Sequence, residues 1–165
     1  MTGADRSPDE RRPTVIPGLC AIKYYVGRPL GVTGWVEITQ ERIDKFADAT
    51  DDRQWIHVDV ERAQRESPWK QTIAHGYLTL SLVPNLLARL LVVIGSKRTI
   101  NTGVEKLRLS APVPSGSRVR LRAEIKDARE FPQEGVRVTI GVRFEVEGSE
   151  KPACIASVIY VYLPT

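Results

Sequence analysis

The longest apolar run in the chain, residues 77–94, is the feature that most constrains the fold. Pro84 and Arg89 interrupt the run and soluble-looking segments flank it, so a buried core helix is favoured over a membrane span. We predict a helix that begins at Gly76, ends at about Gly95 and bends at Pro84, whose nitrogen cannot donate a hydrogen bond. A helix without a polar face must be covered on most of its sides.

The segments that can cover this helix lie in the second half of the chain. Apolar and polar residues alternate over 119–126 and 136–146, which is the pattern of half-buried antiparallel strands. Residues 104–109 predict a further strand, ended by a proline- and glycine-rich turn. Residues 154–163 are apolar on both faces, which indicates either a central strand or a strand at a subunit interface.

The first half of the chain predicts shorter elements. Residues 35–38 suit a short strand, and Thr39 suits the N-cap of a helix over residues 40–49. Residues 51–59 are polar and irregular and predict a loop, and residues 60–65 predict one or two helical turns. An antiparallel sheet with one apolar face and an all-apolar helix pack most simply when the sheet curls around the helix. The fold class is therefore α+β.

Composition limits the possible locations and partners. We expect one domain over residues 14–165, preceded by a flexible leader, residues 1–13, which lacks the apolar segment of a secretory signal. The net charge is +4 and the arginines are interleaved with acids, which argues against a nucleic-acid partner. This small excess of positive charge is as compatible with binding an anionic, phosphate-bearing thioester as with a role in solubility alone. Two distant cysteines indicate a reducing cytoplasm.

The two histidines of the chain mark the candidate site. Asp52 and His57 form an Asp-x4-His pair in the predicted loop, where a carboxylate and an imidazole could share one water and move protons near neutral pH. This spacing alone equally suits a structural hydrogen bond. His75 precedes Gly76, and a glycine that opens a buried helix presents unpaired N–H groups to a developing oxyanion. The alternative is that Gly76 only permits close packing and His75 is structural. The acids around His57 form no recognisable metal-ligand pattern, so no metal is expected.

These motifs together resemble a known family. Residues 46–50, 52–59 and 73–76, with Ala63, resemble the signature of MaoC-like dehydratases, the (R)-specific enoyl-CoA hydratases. The Gln54-Trp55 pair is similar to the nodulation protein N-like branch, which includes (3R)-hydroxyacyl-thioester dehydratases. Residues 101–103, Arg108 and residues 112–114 also match that branch, so the resemblance runs from about residue 35 to the C-terminus.

The resemblance implies a hot-dog fold, a homodimer whose sheets join edge to edge, and no cofactor. It implies reversible hydration of a trans-2-enoyl thioester to the (3R)-3-hydroxyacyl thioester, carried on CoA or acyl carrier protein. The implied catalytic residues are Asp52, His57 and the oxyanion-hole Gly76. The residues expected to bind substrate are Gln54, Trp55, His75 and Asn101.

The chain departs from the general hydratase signature in three places. Asp51 replaces a glycine, Gln54-Trp55 replaces asparagine-proline, and Pro84 stands where some hydratases have a serine. A thioesterase of the same fold is an alternative, although such enzymes commonly carry an acidic residue on the central helix and residues 77–94 contain none. A non-catalytic acyl-thioester-binding protein is the other alternative.

Overall fold

The structure is a computed structural model that describes residues 12–164. The predicted leader, residues 1–13, lies almost entirely outside these residues. A 3-10 helix, Leu19–Tyr25, follows the first strand. The α-helices are α1 (Gln40–Thr50), α2 (Trp55–Val58), α3 (Val60–Glu66), α4 (Gly76–Ser81) and α5 (Val83–Leu87). The strands are β1 (Thr14–Ile16), β2 (Pro29–Val32), β3 (Val36–Glu37), β4 (Leu91–Val93), β5 (Arg98–Leu109), β6 (Arg118–Phe131), β7 (Gly135–Val146) and β8 (Cys154–Leu163).

The main sheet has the order β2-β6-β7-β8-β5, with β3 also paired to β6, and every pairing in it is antiparallel. The alternating segments predicted as strands are confirmed as β6 and β7, which pair along almost their full lengths. Strand β8 lies between β7 and β5, so its two apolar faces belong to a central strand. Strand β5 forms one edge of the sheet.

The single long helix predicted from Gly76 to about Gly95 is wrong in its extent. The segment forms two short helices, α4 and α5, that meet at Leu82, and Pro84 lies in the first turn of α5, where a missing N–H is tolerated. Residues 91–93 leave the helix and form β4, which pairs in parallel with β1. The β-branched side chains of Val92 and Val93 favour this strand.

The region before α4 contains one confirmed prediction and one correction. The side chain of Thr39 accepts a hydrogen bond from the Arg42 N–H at 3.2 Å, so it caps α1 as predicted. Residues 55–58, predicted as loop, form the single helical turn α2, because hydrogen bonds within 54–59 close the backbone locally: the His57 N–H donates to the Gln54 carbonyl at 2.9 Å.

The core lies between the concave face of the sheet and the α4–α5 segment. The sheet contributes alternate residues of its long strands, and the helices contribute leucines and a valine. Buried members of this core include Leu78, Val83, Leu86, Leu87, Leu121, Ile125, Ile140, Phe144, Ala156 and Val158. The curved sheet therefore wraps a short, broken helical segment, and its rim near Leu109 lies beside the first residue of α4.

Candidate active site

Backbone hydrogen bonds bring the His57 turn and the His75–Gly76 turn together. The Ile73 N–H donates to the Ile56 carbonyl at 3.0 Å, and the Ala74 N–H donates to the Val113 carbonyl at 2.8 Å. Residues 73–74 are thus fixed between α2 and the turn that precedes β6. This places the start of α4 directly against the His57 side chain.

His57 is 7% exposed, and its Nδ1 lies 2.6 Å from the carbonyl oxygen of Ile73. A carbonyl can only accept, so Nδ1 carries the proton and Nε2 keeps its lone pair. Burial lowers the pKa of His57, and the Ile73 carbonyl opposes this shift; His75 lowers the pKa further and Asp52 raises it. The arrangement favours a neutral imidazole with a free basic nitrogen, as a proton acceptor requires.

His75 packs directly behind His57. The two rings are stacked, with centroids 3.8 Å apart and planes inclined by 26°, and the Phe46 ring is tilted against His75 with centroids 5.0 Å apart. Nε2 of His75 donates to the backbone carbonyl of Asp52 at 2.9 Å. Its buried Nδ1 has no hydrogen-bond partner among residues 12–164. His75 therefore joins the Asp52 turn to the His57 ring.

Asp52 lies in the turn that follows α1. Asp51, the C-cap of α1, has the left-handed conformation (φ 57°, ψ 14°), which redirects the chain and leaves Asp52 next to His75. The Asp52 carboxylate is 56% exposed and lies 3.9 Å from Nε2 of His75. A glycine adopts this φ without steric cost, which gives a physical reason for a glycine at position 51 in the general hydratase signature.

The structure brings Asp52, His57 and His75 together, with one side-chain donor atom of each lying within 4.8 Å of the others. A metal ion fits this group poorly. Nδ1 of His57 and Nε2 of His75 both donate to carbonyl groups, so each imidazole has only one nitrogen left to offer, and the Asp52 carboxylate is 56% exposed. We interpret the group as one that holds and moves protons.

Gly76 begins α4, so its N–H has no carbonyl one helical turn before it. A Cβ at this position would overlap the side chain of Leu109. The glycine is therefore required for the close approach between the start of α4 and the end of β5. His57 and Gly76 both line one cavity, and Asp52 is not among its lining residues.

The cavity has a volume of about 290 Å³. Its lining is mostly apolar, with His57 and two hydroxyl groups as polar groups. The lining residues are His57, Trp69, Ile73, Ala74, Gly76, Thr79, Leu109, Ser110, Ala111, Pro112, Val113 and Ala153. Trp69 thus lines the cavity, while Trp55 lies beneath the Arg62 guanidinium at 4.4 Å.

Thr79 and Ser110 are polar lining residues that sequence reasoning missed. Thr79 is buried and lies three residues after Gly76, so helical spacing places both on one face, and that spacing could have identified it. Ser110 follows the last residue of β5, and only the fold brings it to the cavity.

The other predicted substrate-binding residues do not line this cavity. Gln54 is the N-cap residue of α2, and its carbonyl accepts from the His57 N–H. His75 stacks on the His57 ring and is not among the residues that line the cavity. Asn101 pairs with Tyr160, and its side chain accepts from the Gly103 N–H at 3.2 Å. Seven residues of β5 lie between Asn101 and Leu109, which places the two about 25 Å apart along the strand of one chain.

The chain is similar to several known proteins. The family model for the MaoC like domain matches residues 22–147. 3-Hydroxyacyl-thioester dehydratase Z of Mycobacterium tuberculosis (strain ATCC 25618 / H37Rv) is 47% identical over 137 residues, which cover 83% of this chain and 90% of that protein. Nodulation protein N of Rhizobium leguminosarum bv. viciae is 38% identical over 137 residues, covering 82% and 85%. The solved structure of R-hydratase PhaJ1 from Pseudomonas aeruginosa superposes with a TM-score of 0.69 at 24% identity, covering 91% of this chain and 87% of that one.

The antiparallel sheet wrapped around α4 and α5 is a hot-dog fold. His57 and the first residue of α4, Gly76, line one cavity of this fold, and the Asp52 carboxylate lies close to the two imidazoles. This chain belongs to the MaoC-like dehydratase family, which confirms the resemblance found in the sequence.

Proposed function

We propose that the protein is a hydro-lyase that reversibly hydrates trans-2-enoyl thioesters to (3R)-3-hydroxyacyl thioesters. The observation that carries the proposal is the cavity lined by both His57 and Gly76, with the Asp52 carboxylate close to the imidazole group. The relationship to 3-hydroxyacyl-thioester dehydratase Z supports the same reaction.

In the proposed mechanism each of these groups has one role. The thioester carbonyl accepts a hydrogen bond from the Gly76 N–H, which stabilises negative charge on that oxygen. Nε2 of His57 and the Asp52 carboxylate hold one water. One of them takes a proton from it as the oxygen bonds to C3, and a proton is delivered to C2. The enoyl double bond is thereby replaced by one C–O and one C–H bond, and the reverse reaction releases the same water.

The test is to mix the purified protein with short and long trans-2-enoyl-CoA and follow loss of the enoyl absorbance, chirality of the product, and free thiol. We expect loss of absorbance with a (3R)-hydroxy product and no free thiol. Free thiol release would instead identify a thioesterase. Binding without either change would identify a non-catalytic acyl-thioester-binding protein.

We also propose a homodimer joined through β5. This edge strand is twelve residues long and exposes Ile100 (45%) and Val104 (40%), and an unpaired edge of this kind invites pairing with another chain. Of the two alternatives for residues 154–163, the central strand is the one observed, so β8 does not provide the joining edge. Light scattering at micromolar concentration should give twice the mass of one chain, and Val104→Lys should lower it. A monomeric parent protein would contradict the proposal.

A reducing cytoplasm is the proposed location. Cys20 is exposed and Cys154 is buried, and neither forms a disulfide. Burial raises the pKa of the Cys154 thiol to about 11, so it behaves as an apolar core group. Among residues 12–164, each helix is too short or too polar to cross a bilayer.

A further inference from the structure

Four side chains form a row across the outer face of the sheet, beside the proposed active site. Arg122 of β6 pairs with Arg143 of β7, Arg143 pairs with Ile155 of β8, and Ile155 pairs with Arg108 of β5. We call these four residues the arginine row. Arg143, Ile155 and Arg108 each adjoin a residue that faces inward, so alternation directs them outward. The sequence separates these arginines among acids, and the fold collects them.

The positive charge of the row is not balanced. Arg122 is held by Glu145 at 3.0 Å, and the same carboxylate also binds Arg120 at 2.8 Å. Arg143 and Arg108 are exposed and have no ion pair or side-chain hydrogen bond among residues 12–164. Like charges on directly paired residues, such as Arg122 and Arg143, destabilise a sheet. An anion bound to the row would remove this repulsion.

Ile155 gives the row an apolar centre. It is 37% exposed and lies between Arg143 and Arg108, whose Cα atoms are about 10 Å apart at the usual strand spacing. Guanidinium groups bind phosphates through paired hydrogen bonds and also stack on flat rings. Two guanidinium groups that flank an apolar side chain therefore suit a planar base that carries phosphates.

The row lies within reach of the cavity. Arg108 directly precedes Leu109 and Ser110, and Ile155 is two residues from Ala153; all three of these neighbours line the cavity. Leu109 and Arg108 point to opposite faces of β5, so a bound chain must pass around the end of the sheet near Ser110. A pantetheine arm, with two amide bonds, spans on the order of 15 Å when extended, about twice the roughly 7 Å that two strand residues cover between Ile155 and Ala153.

We propose that the arginine row binds the phosphorylated adenosine of coenzyme A while the thioester occupies the cavity. Arg108 and Arg143 bind the phosphates, Ile155 packs against the base, and Arg122 adds positive charge. This inference rests on the proposed function, because it assigns the carrier of that same substrate.

The test uses the variant Arg108→Gln/Arg143→Gln and two substrates that share one acyl group. The first is a trans-2-enoyl-CoA, and the second is the matching N-acetylcysteamine thioester, which has no phosphate. We expect KM for the CoA substrate to rise about tenfold in the variant, since each exposed charge contact contributes modestly. Turnover of the N-acetylcysteamine thioester should not change. Equal effects on both substrates would overturn the proposal.

Arg129→Gln is the matched control. Arg129 is on the same sheet and pairs with Asp127 at 2.7 Å, but it lies at the other end of β6. Arg129→Gln removes one positive charge, as Arg108→Gln does, and leaves the arginine row unchanged. A rise in KM as large as that of an Arg108→Gln single variant would show that only net charge matters, and would overturn the proposal.

Calorimetric titration with adenosine 3′,5′-bisphosphate separates this inference from the proposed hydration. The parent protein should bind this probe and the double variant should bind it about tenfold more weakly, whether or not enoyl thioesters are hydrated. No binding by the parent protein would overturn the inference even if hydration is confirmed. Suppose that the parent protein does not bind the probe and that KM of the double variant for an enoyl-acyl carrier protein substrate rises as much as KM for the CoA substrate. This result would assign the arginine row to a carrier protein instead.

Discussion

His57 and His75 have stacked rings and are both almost fully buried, yet only His57 lines the cavity. Nδ1 of His57 carries the proton, because it donates a hydrogen bond to the Ile73 carbonyl, and this leaves Nε2 free. Nε2 of His75 donates to the backbone carbonyl of Asp52, and its buried Nδ1 has no partner within the described part of the chain, residues 12–164. Two imidazoles in contact thus differ in which ring nitrogen carries the proton, because each donates a hydrogen bond to a different backbone carbonyl.

The largest expected effect comes from removing the proton-transfer groups. Asp52→Asn and His57→Gln keep shape and hydrogen bonding but lose proton exchange. Each should lower hydratase kcat by about 10²–10⁴-fold. Because the two groups handle one water, the double variant should be hardly slower than either single variant. Folded Asp52→Asn protein with near-parental activity would refute the mechanism.

Gly76→Ala should have the next largest effect. The new methyl group overlaps the side chain of Leu109, which lines the cavity and must therefore shift. Misplacement of the substrate by about 1 Å can cost about 10²-fold in rate. The double variant Gly76→Ala/Leu109→Ala removes the overlap and keeps the backbone N–H, so it should recover much of kcat. Failure to recover would show that the glycine matters for more than space.

His75→Gln should lower kcat by only about tenfold, which sharpens the difference between the two histidines. Glutamine can still donate to the Asp52 carbonyl, but it does not stack on His57. Steady-state kinetics on His75→Gln and His57→Gln, prepared side by side, compare the loss of kcat in the two variants. Equal losses in the two variants would mean that both imidazoles take part in proton transfer.

The acid sensitivity of folding should depend on His57. Its pKa is lowered by burial, so the unfolded chain binds the proton more readily than the folded one. The stability that His57 contributes is fully present above pH 6.5 and is lost as pH falls through the lower folded-state pKa. Chemical denaturation measures the free energy of unfolding at pH 7.5 and at pH 5.5. The difference between these two values should be smaller for His57→Gln than for the parent protein. An unchanged difference would place the acid sensitivity elsewhere.

The long strands could be predicted from the sequence because one residue in two is apolar over their central parts. The end of the helical segment could not, because residues 90–94 are apolar without a clear period, and the strand they form pairs with β1, over 70 residues earlier. Asp52, His57 and Gly76 could be proposed as site residues from the sequence because each belongs to a local motif. The positioning by His75 could not, since it depends on ring stacking and on a carbonyl 23 residues away.

The smallest effect is expected at Asp51, in the turn that connects the two histidines to α1. Asp51 has φ 57°, where a side chain is disfavoured and glycine is not, so Asp51→Gly should raise the free energy of unfolding by about 0.5–1 kcal/mol. Glu134→Gly is the control, because Glu134 has φ 56° in the β6–β7 turn, far along the chain from the site. Chemical denaturation should show similar gains for both, and kcat should stay near the parental value in both. A loss of kcat confined to Asp51→Gly would mean that the Asp51 carboxylate acts with Asp52 on the bound water, and that this turn does more than hold the backbone for His75.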